Sequence, residues 1–167
     1  MRQEPIAVIW DVDGTLVDTA EMHFDAWVRL ANEMGRPFSR EDFSATFGRR
    51  NPEILRQLVG SHLTDDEVIE LGTRKESYYL VEATQLGVSL LPGVRELLEG
   101  LHTLGFQQAI GSSAPKKNLG VILELTGSAK YFGGVVGQED TARGKPDPEV
   151  FLTAASKVGV EPSRCLV

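Results

Sequence analysis

The hydrophobic residues of the chain follow different patterns in different segments, and each pattern predicts a different kind of structure. Residues 6–10 form an apolar run without alternation, which is typical of a parallel strand covered on both faces. From residue 19 to residue 87 apolar side chains recur at helical spacing, which predicts helices alone. Beyond residue 88 helical segments alternate with short apolar runs, which predicts strands joined by helices.

Local signals mark the beginnings of the helices in the middle of the chain. Asp18 followed by Glu21 resembles a capping box, in which the two side chains satisfy free amides at the start of a helix. Thr64 followed by Glu67 predicts a second box. The helices expected in this part of the chain cover residues 20–34, 39–43, 51–59 and 64–84.

The alternation beyond residue 88 predicts right-handed βαβ units and therefore a parallel sheet. The expected helices cover residues 94–104, 115–126 and 147–159. The expected strands cover residues 106–110 and 133–137, with a last one beginning at residues 164–167.

Together these elements predict an α/β fold, with a Rossmann-like parallel sheet core and an inserted all-helical cap domain. We assign residues 1–18 and 88–167 to the core and residues 19–87 to the cap. The hinges are expected at residues 16–19 and 85–92.

Composition narrows the class of function. The 167 residues carry a formal net charge of −7. A nucleic acid or an anionic membrane is therefore not an expected partner, and we expect a small molecule instead. Cys165 is the only cysteine and cannot form an internal disulfide, and the first residues lack the apolar stretch of a signal peptide. We therefore expect a cytoplasmic protein.

Chemistry-bearing residues follow the predicted strands. Asp11 and Asp13 follow the first strand, Ser112 and Ser113 the second, and Lys145 lies in the segment after the third. Ligands bind at the carboxyl ends of the strands in open parallel sheets, so we expect these side chains to converge. Carboxylates for Mg²⁺, together with hydroxyls and a lysine for a phosphate, are what metal-assisted phosphoryl transfer requires.

Each of these positions also has a purely structural interpretation. An Asp-Gly-Thr sequence is often only a turn, and Ser112 could be a strand-end hydroxyl. The segment around Lys145 could be a helix start, with Asp147 as the cap and Pro148 in the first turn. We expect Asp147 to be structural and Lys145 functional.

Three short segments resemble the first three motifs of the haloacid dehalogenase superfamily: DVDGT at residues 11–15, GSS at 111–113 and GKPDPEVF at 144–151. The predicted helical insertion resembles the small cap of that superfamily. Residues 13–27 are most similar to the beta-phosphoglucomutase-like branch of phosphatases and phosphomutases.

The resemblance implies a role for each core residue. Asp11 would attack phosphorus, form an aspartyl phosphate and bind Mg²⁺. Asp13 would act as general acid and base and bind Mg²⁺ through its carbonyl. Thr15 would help to position Asp13, while Ser112, with its neighbour Ser113, and Lys145 would hold the transferring oxygens.

The cap also contains candidates for substrate binding. His23 matches a histidine that the mutase branch uses near its active site, and Lys75 lies roughly where cap lysines reach in. His23 could equally be a histidine satisfied within the cap. Arg49 and its neighbour Arg50 could contact an anion or form a solvated pair.

The residues leave two reactions open. In the mutases a cap loop binds the phosphate that is not transferred. Residues 47–54 differ here from that loop, because Asn51 and Ile54 lie near the positions where polar phosphate-binding residues are expected. We therefore expect a phosphatase that acts on a small phosphorylated metabolite such as a sugar phosphate. A sugar phosphomutase is the alternative.

The family continues beyond RCLV, at residues 164–167, into an acidic motif that supplies further metal ligands. We therefore expect this chain to be a truncated form with impaired folding and weak or no activity. Two other classes remain as alternatives. They are a phosphoacceptor signalling domain, in which the acceptor aspartate follows a later strand, and an inactive binding protein derived from the enzyme fold.

Overall fold

Four strands form one parallel sheet in the computed structural model, which describes residues 6–167. The strands are β1 (Ala7–Trp10), β2 (Gln107–Gly111), β3 (Gly134–Val136) and β4 (Cys165–Leu166). Their order across the sheet is β3-β2-β1-β4, and all neighbouring pairs are parallel. The first strand is parallel to both of its neighbours, as its unbroken apolar run predicts.

The chain divides into two compact units. The helical unit comprises Thr19–Gly87, and the sheet unit comprises residues 6–18 together with Val88–Val167. The helices of the helical unit are α1 (Ala20–Glu33), α2 (Arg40–Thr46), α3 (Asn51–Leu58) and α4 (Asp65–Leu86). The helices of the sheet unit are α5 (Val94–Thr103), α6 (Lys116–Thr126) and α7 (Glu149–Lys157). Within residues 6–167, no helix has the length and apolar character needed to cross a membrane.

Side chains of β1 and β2 alternate between the two faces of the sheet. On one face, Ala7, Ile9 and Ala109 join the buried cluster that includes Val150 and Ala154 of α7. Gln108, which precedes Ala109 in β2, faces the opposite side of the sheet. Its Nε2 donates to the carbonyl oxygen of Leu98 in α5 at 3.0 Å, so α5 covers that face. Helices thus cover both faces, as a buried parallel sheet requires.

The predicted box at Thr64 is confirmed at the start of α4. The Thr64 side chain accepts from the Glu67 amide at 3.3 Å, and Glu67 accepts from the Thr64 amide at 2.8 Å. The box predicted at Asp18 is wrong, because α1 has Thr19 as its N-cap with no side-chain cap hydrogen bond. Glu21 instead forms an ion pair with Arg40 of α2 at 2.5 Å.

The core of the helical unit is an aromatic and aliphatic cluster to which all four helices contribute. It contains Trp27 and Leu30 of α1, Phe43 of α2, Leu55 of α3 and Val68 of α4, all buried. Burial of these apolar surfaces is the main source of stability for short helices, which are marginal in isolation.

Replacement of Gln108 by Leu should lower the free energy of unfolding by about 1–3 kcal/mol, because buried polar groups lose their partners. Gln108 is 1% exposed, and it bonds both to the Leu98 carbonyl and, at 3.1 Å, to the indole Nε1 of Trp10. The same replacement at the exposed neighbour Gln107 is the matched control. Urea unfolding of both variants tests this prediction, and equal losses of stability would contradict it.

Candidate active site

Asp11 directly follows β1 and lies at the carboxyl edge of the sheet, beside the end of β2. Trp10 is in register with Ile110, so Asp11 and Ser112 follow neighbouring strands at the same edge. Asp11 Oδ1 accepts a hydrogen bond from the Val12 amide at 2.9 Å. Its other oxygen, Oδ2, lies 2.7 Å from Lys145 Nζ. The structure therefore brings together two of the predicted site residues that are far apart in the sequence.

A tight turn after Asp11 fixes the position of Asp13. The Val12 carbonyl accepts from the amides of Thr15, Leu16 and Val17 at 2.9–3.2 Å. Gly14 takes a φ of 77°, a left-handed conformation that glycine adopts at little cost. Asp13 is half-buried and Thr15 is exposed. Asp11 and Asp13 thus belong to one short, hydrogen-bonded segment at the carboxyl end of β1.

The serines after β2 differ in their surroundings. Ser112 is 1% exposed, and its Oγ accepts from the Ala114 amide at 3.1 Å. Its backbone amide donates to the Val136 carbonyl at 3.1 Å, which extends the pairing with β3. Ser113 is half-buried. The hydrogen bond from Ala114 leaves the Ser112 hydroxyl proton available for donation.

Lys145 lies in the loop between Ala142 and Glu149, and the Glu149 side chain bonds back to the start of this loop. The Glu149 carboxylate accepts from the backbone amides of Ala142 and Arg143 at 2.9 and 3.0 Å. The hydrogen bond from the Ala142 amide, together with the contacts of Arg143, lowers the pKa of Glu149 below its usual range, although burial by itself raises it. Lys145 Nζ also lies 4.9 Å from the centre of the Phe151 ring. The loop therefore presents the ammonium group from a well-anchored backbone.

Asp147 differs from its predicted role as a helix cap. Pro148 occupies the N-cap position and α7 begins at Glu149. Asp147 still accepts from the Glu149 amide, at 3.0 Å, and it forms an ion pair with Arg143, also at 3.0 Å. The expectation that Asp147 is a structural residue agrees with these contacts.

His23 and Lys75 meet inside the helical unit. Lys75 Nζ lies 2.7 Å from His23 Nδ1 and 3.0 Å from Glu76 Oε1. The His23 ring stacks on Tyr79 with centroids 4.1 Å apart and planes at 9°. Lys75 is 1% exposed, and burial of its ammonium group without these partners would be costly. The ammonium donates to Nδ1, which places the histidine proton on Nε2 when the ring is neutral.

Glu76, which the sequence analysis did not identify, pairs with Asn51 beside Lys75. Asn51 Nδ2 donates to Glu76 Oε1 at 2.6 Å, and both residues are 8% exposed. Burial by itself raises the pKa of Glu76, but Lys75, His23 and Asn51 together lower it below its usual range. The partners are 25 residues apart, so no local pattern could have indicated the pairing.

Arg49 is engaged within its own segment of the helical unit. Its Nε lies 3.1 Å from Glu53 Oε2, and NH1 donates to Gln57 Oε1 at 2.9 Å. Arg49 is exposed, whereas its neighbour Arg50 is buried, so the two arginines do not form the solvated pair that the sequence analysis left open.

Oxygen ligands for a hard cation are present at the edge of the sheet. Mg²⁺ in phosphoryl-transfer sites takes one or two carboxylates, with waters and substrate phosphate filling the other positions. The partly exposed Asp11 carboxylate and the adjacent Asp13 fit such a site. Among residues 6–167 no group of three acidic, histidine or cysteine residues could hold a metal ion by itself.

The comparisons with known proteins agree with this architecture. The sequence matches the haloacid dehalogenase-like hydrolases over residues 7–167, and the chain belongs to this family. It is 34% identical over 165 residues to beta-phosphoglucomutase of Bacillus subtilis, an alignment that covers 95% of this chain and 72% of that protein. It is 30% identical over 164 residues to a phosphorylated carbohydrates phosphatase of Thermotoga maritima, with 96% and 74% covered.

A solved structure supports the same assignment. The beta-phosphoglucomutase of Clostridium difficile superimposes with a TM-score of 0.88 at 25% identity, covering 97% of this chain and 74% of that one. The resemblance to the beta-phosphoglucomutase-like branch and the α/β fold are thereby confirmed. The chain is an enzyme of the phosphatase and phosphomutase class.

The pairing of Glu76 should be visible in the pH dependence of stability. Because the folded-state pKa of Glu76 lies below the ordinary value of 4.5 for a glutamate, the unfolded state binds the proton more tightly. The stabilisation is therefore complete above pH 4.5 and is lost as the pH falls through the folded-state pKa. We expect the free energy of unfolding of the native chain to fall more steeply below pH 4.5 than that of Glu76→Gln.

Urea unfolding at several pH values between neutrality and the onset of acid denaturation measures this difference. The exposed Glu41→Gln, whose carboxyl lies in the first turn of α2, is the matched control. Parallel profiles for the native chain and Glu76→Gln would show that Glu76 is not stabilised in its charged form.

Proposed function

We propose that this enzyme hydrolyses a small phosphorylated metabolite, such as a sugar phosphate, through an aspartyl phosphate at Asp11. The observation that carries the proposal is the 2.7 Å contact between Asp11 Oδ2 and Lys145 Nζ at the carboxyl end of a parallel strand. A nucleophilic carboxylate beside an ammonium group can receive a phosphoryl group while the lysine offsets the added negative charge.

The first step transfers the phosphoryl group from the substrate to the enzyme. An Asp11 oxygen attacks phosphorus, a new P–O bond forms, and the bond between phosphorus and the leaving oxygen breaks. Asp13, in its protonated form, gives its proton to the leaving oxygen, so that the dephosphorylated alcohol departs neutral. The turn that holds Asp13 two residues after Asp11 supports this division of roles.

The second step regenerates the enzyme with the same two carboxylates. Asp13, now ionised, takes a proton from water as the water oxygen attacks phosphorus. The P–O bond to Asp11 breaks, inorganic phosphate leaves, and Asp11 is again a carboxylate while Asp13 is protonated.

The remaining core residues bind the transferring oxygens. Ser112 donates its hydroxyl, Ser113 and Thr15 line the same edge, and Lys145 contributes its charge. Mg²⁺, held by the Asp11 carboxylate and by Asp13, supplies charge stabilisation for the phosphoryl group when bound.

We assign the sheet unit as the catalytic core and the helical unit as the cap that recognises the substrate. His23, Lys75 and Arg49 are the cap residues for this role. The hydrogen bond between Lys75 and His23 supports it, because a buried polar pair fixes both groups in one orientation. The net charge of −7 favours a small-molecule partner over nucleic acid or membrane, and the single cysteine suits the cytoplasm.

Asp11→Asn should reduce turnover by roughly 10³-fold or more, since the amide has the shape of the carboxylate but is a poor nucleophile. The measurement is Mg²⁺-dependent phosphate release from a panel of sugar phosphates, with and without EDTA. Rapid quenching and mass spectrometry should detect phosphate on the peptide that contains Asp11 in the native chain only.

The exposed Asp66, in the first turn of α4, provides the control Asp66→Asn, which should retain full activity. Turnover by Asp11→Asn near that of the native chain would remove Asp11 from its role as nucleophile. Phosphate release that is independent of Mg²⁺ would contradict the proposed cofactor.

A sugar phosphomutase is the second candidate, and the identity of 34% with the Bacillus subtilis beta-phosphoglucomutase favours it. In that reaction a sugar hydroxyl replaces water as the acceptor in the second step. Phosphorus NMR of the enzyme with beta-glucose 1-phosphate distinguishes the two. Accumulation of inorganic phosphate supports the phosphatase, and accumulation of glucose 6-phosphate supports the mutase.

A further inference from the structure

Lys75 and Glu76 of α4 form a buried ion pair within the helical unit. Lys75 is 1% exposed and Glu76 is 8% exposed, and Lys75 Nζ lies 3.0 Å from Glu76 Oε1. Replacement of such a pair by apolar residues of similar volume is often neutral or stabilising. Stability alone therefore gives a poor account of this pair, and its effect on the neighbouring groups gives a better one.

Asn51 of α3 holds the carboxylate of this pair in place. Its Nδ2 donates at 2.6 Å to Glu76 Oε1, the same oxygen that accepts from Lys75. The two donors come from different helices, so the carboxylate cannot turn away from Lys75 without losing both hydrogen bonds. Burial by itself raises the pKa of Glu76, but its charged and polar neighbours lower it below its usual range. The carboxylate is therefore ionised at neutral pH.

The Lys75 ammonium group also contacts His23 of α1. Its Nζ lies 2.7 Å from His23 Nδ1, and the ring centroids of Trp27 and Tyr79 lie 5.4 and 5.5 Å away. An ammonium group can only donate a hydrogen bond, so Nδ1 is the acceptor. The proton of the neutral ring is then on Nε2.

Aromatic contacts fix the plane of the same ring. The His23 ring stacks on Tyr79 with centroids 4.1 Å apart and planes at 9°, and it meets Phe47 at 6.4 Å and 65°. Tyr79 is 0% exposed, so the close packing of the core restricts its movement. A ring that is held in one plane and in one tautomer directs its single N–H group along one line.

We infer that Glu76 is a positioning residue for substrate binding, which acts through Lys75 to keep His23 as an Nε2–H donor. This inference rests on the proposed role of His23 as a cap residue for the substrate, and it gives Glu76 a role that the proposed mechanism does not contain. Asn51 contributes by orienting the carboxylate. An Nε2–H group donates to an oxygen of the substrate, whereas the other tautomer would present a lone pair in the same direction.

The first test observes the tautomer of His23 and does not depend on turnover. Nitrogen-15 NMR of the imidazole rings, at a pH of about 8.5 where histidines are ordinarily neutral, distinguishes the two tautomers. The native chain should show His23 only in the Nε2–H form. In Glu76→Gln the buried ammonium loses its counter-charge, and a neutral amine can accept from Nδ1 as well as donate to it. The Nδ1–H form should therefore become detectable.

The chain supplies matched controls for this measurement. The other two histidines, His62 and His102, are exposed, and their signals should be the same in the native chain and in Glu76→Gln. Glu70→Gln makes the same charge change at an exposed position of α4 and should leave His23 in the Nε2–H form. The double variant Lys75→Met/Glu76→Gln leaves no uncompensated buried charge, so it provides a folded protein if the single variant does not fold. It should also show both tautomers.

The second test measures the consequence for substrate binding. The values of kcat and KM are determined for the sugar phosphate that the native chain hydrolyses fastest. Loss of one oriented hydrogen bond to the substrate should raise KM about two- to tenfold in Glu76→Gln. The value of kcat should change little, because His23 binds the substrate and takes no part in the transfer to Asp11. Glu70→Gln should have the native KM.

The outcomes separate this inference from the proposed function. A single Nε2–H form of His23 in both Glu76→Gln and the double variant would overturn the inference, and so would a native KM in a variant that shows both tautomers. Absence of Mg²⁺-dependent phosphate release by the native chain from every substrate would refute the proposed function instead. The tautomer measurement would then still decide whether Glu76 controls His23.

Discussion

The pairing of Asp11 with Lys145 depends on the order in which the strands enter the sheet. Lys145 reaches the end of β1 only because β2 and β3 add to the same side of β1 in parallel, each through a crossover helix. Parallel strands place all their carboxyl ends at one edge, so the segments that follow β1, β2 and β3 meet there. The site is therefore a consequence of topology, and the glycine turn at Gly14 adjusts it locally.

Buried charge is a second constraint, and the helical unit satisfies it by pairing. An uncompensated ammonium in the position of Lys75 would be strongly destabilising, and Glu76 and His23 on its two sides remove that cost. Asn51 then satisfies the same Glu76 oxygen that Lys75 contacts. The result is a small polar network enclosed by aromatic rings, and its geometry is fixed because each member needs the others.

The distribution of charge connects stability with the proposed chemistry. In the loop after β3 and in the helical unit, carboxylates form ion pairs with Lys116, Lys75 and Arg49. Lys145 differs because its carboxylate partner is Asp11, the proposed nucleophile, and its charge remains close to any phosphoryl group that arrives there. In the proposed mechanism, the positive charge of Lys145 therefore acts on the group that is transferred.

The sequence by itself determined the helices and strands and the residues that lie at the carboxyl edge of the sheet. The unbroken apolar run of β1, the box at Thr64 and the positions of Asp11, Ser112 and Lys145 after successive strands all depend on neighbouring residues, which local patterns record. Tertiary structure decided the partners: Glu21 binds Arg40 and caps no helix, Glu76 holds Lys75 and Asn51, and Glu139 covers α6. A carboxylate bonds to whichever donors the folded chain brings within about 3 Å, and side-chain spacing along the sequence carries no record of that distance.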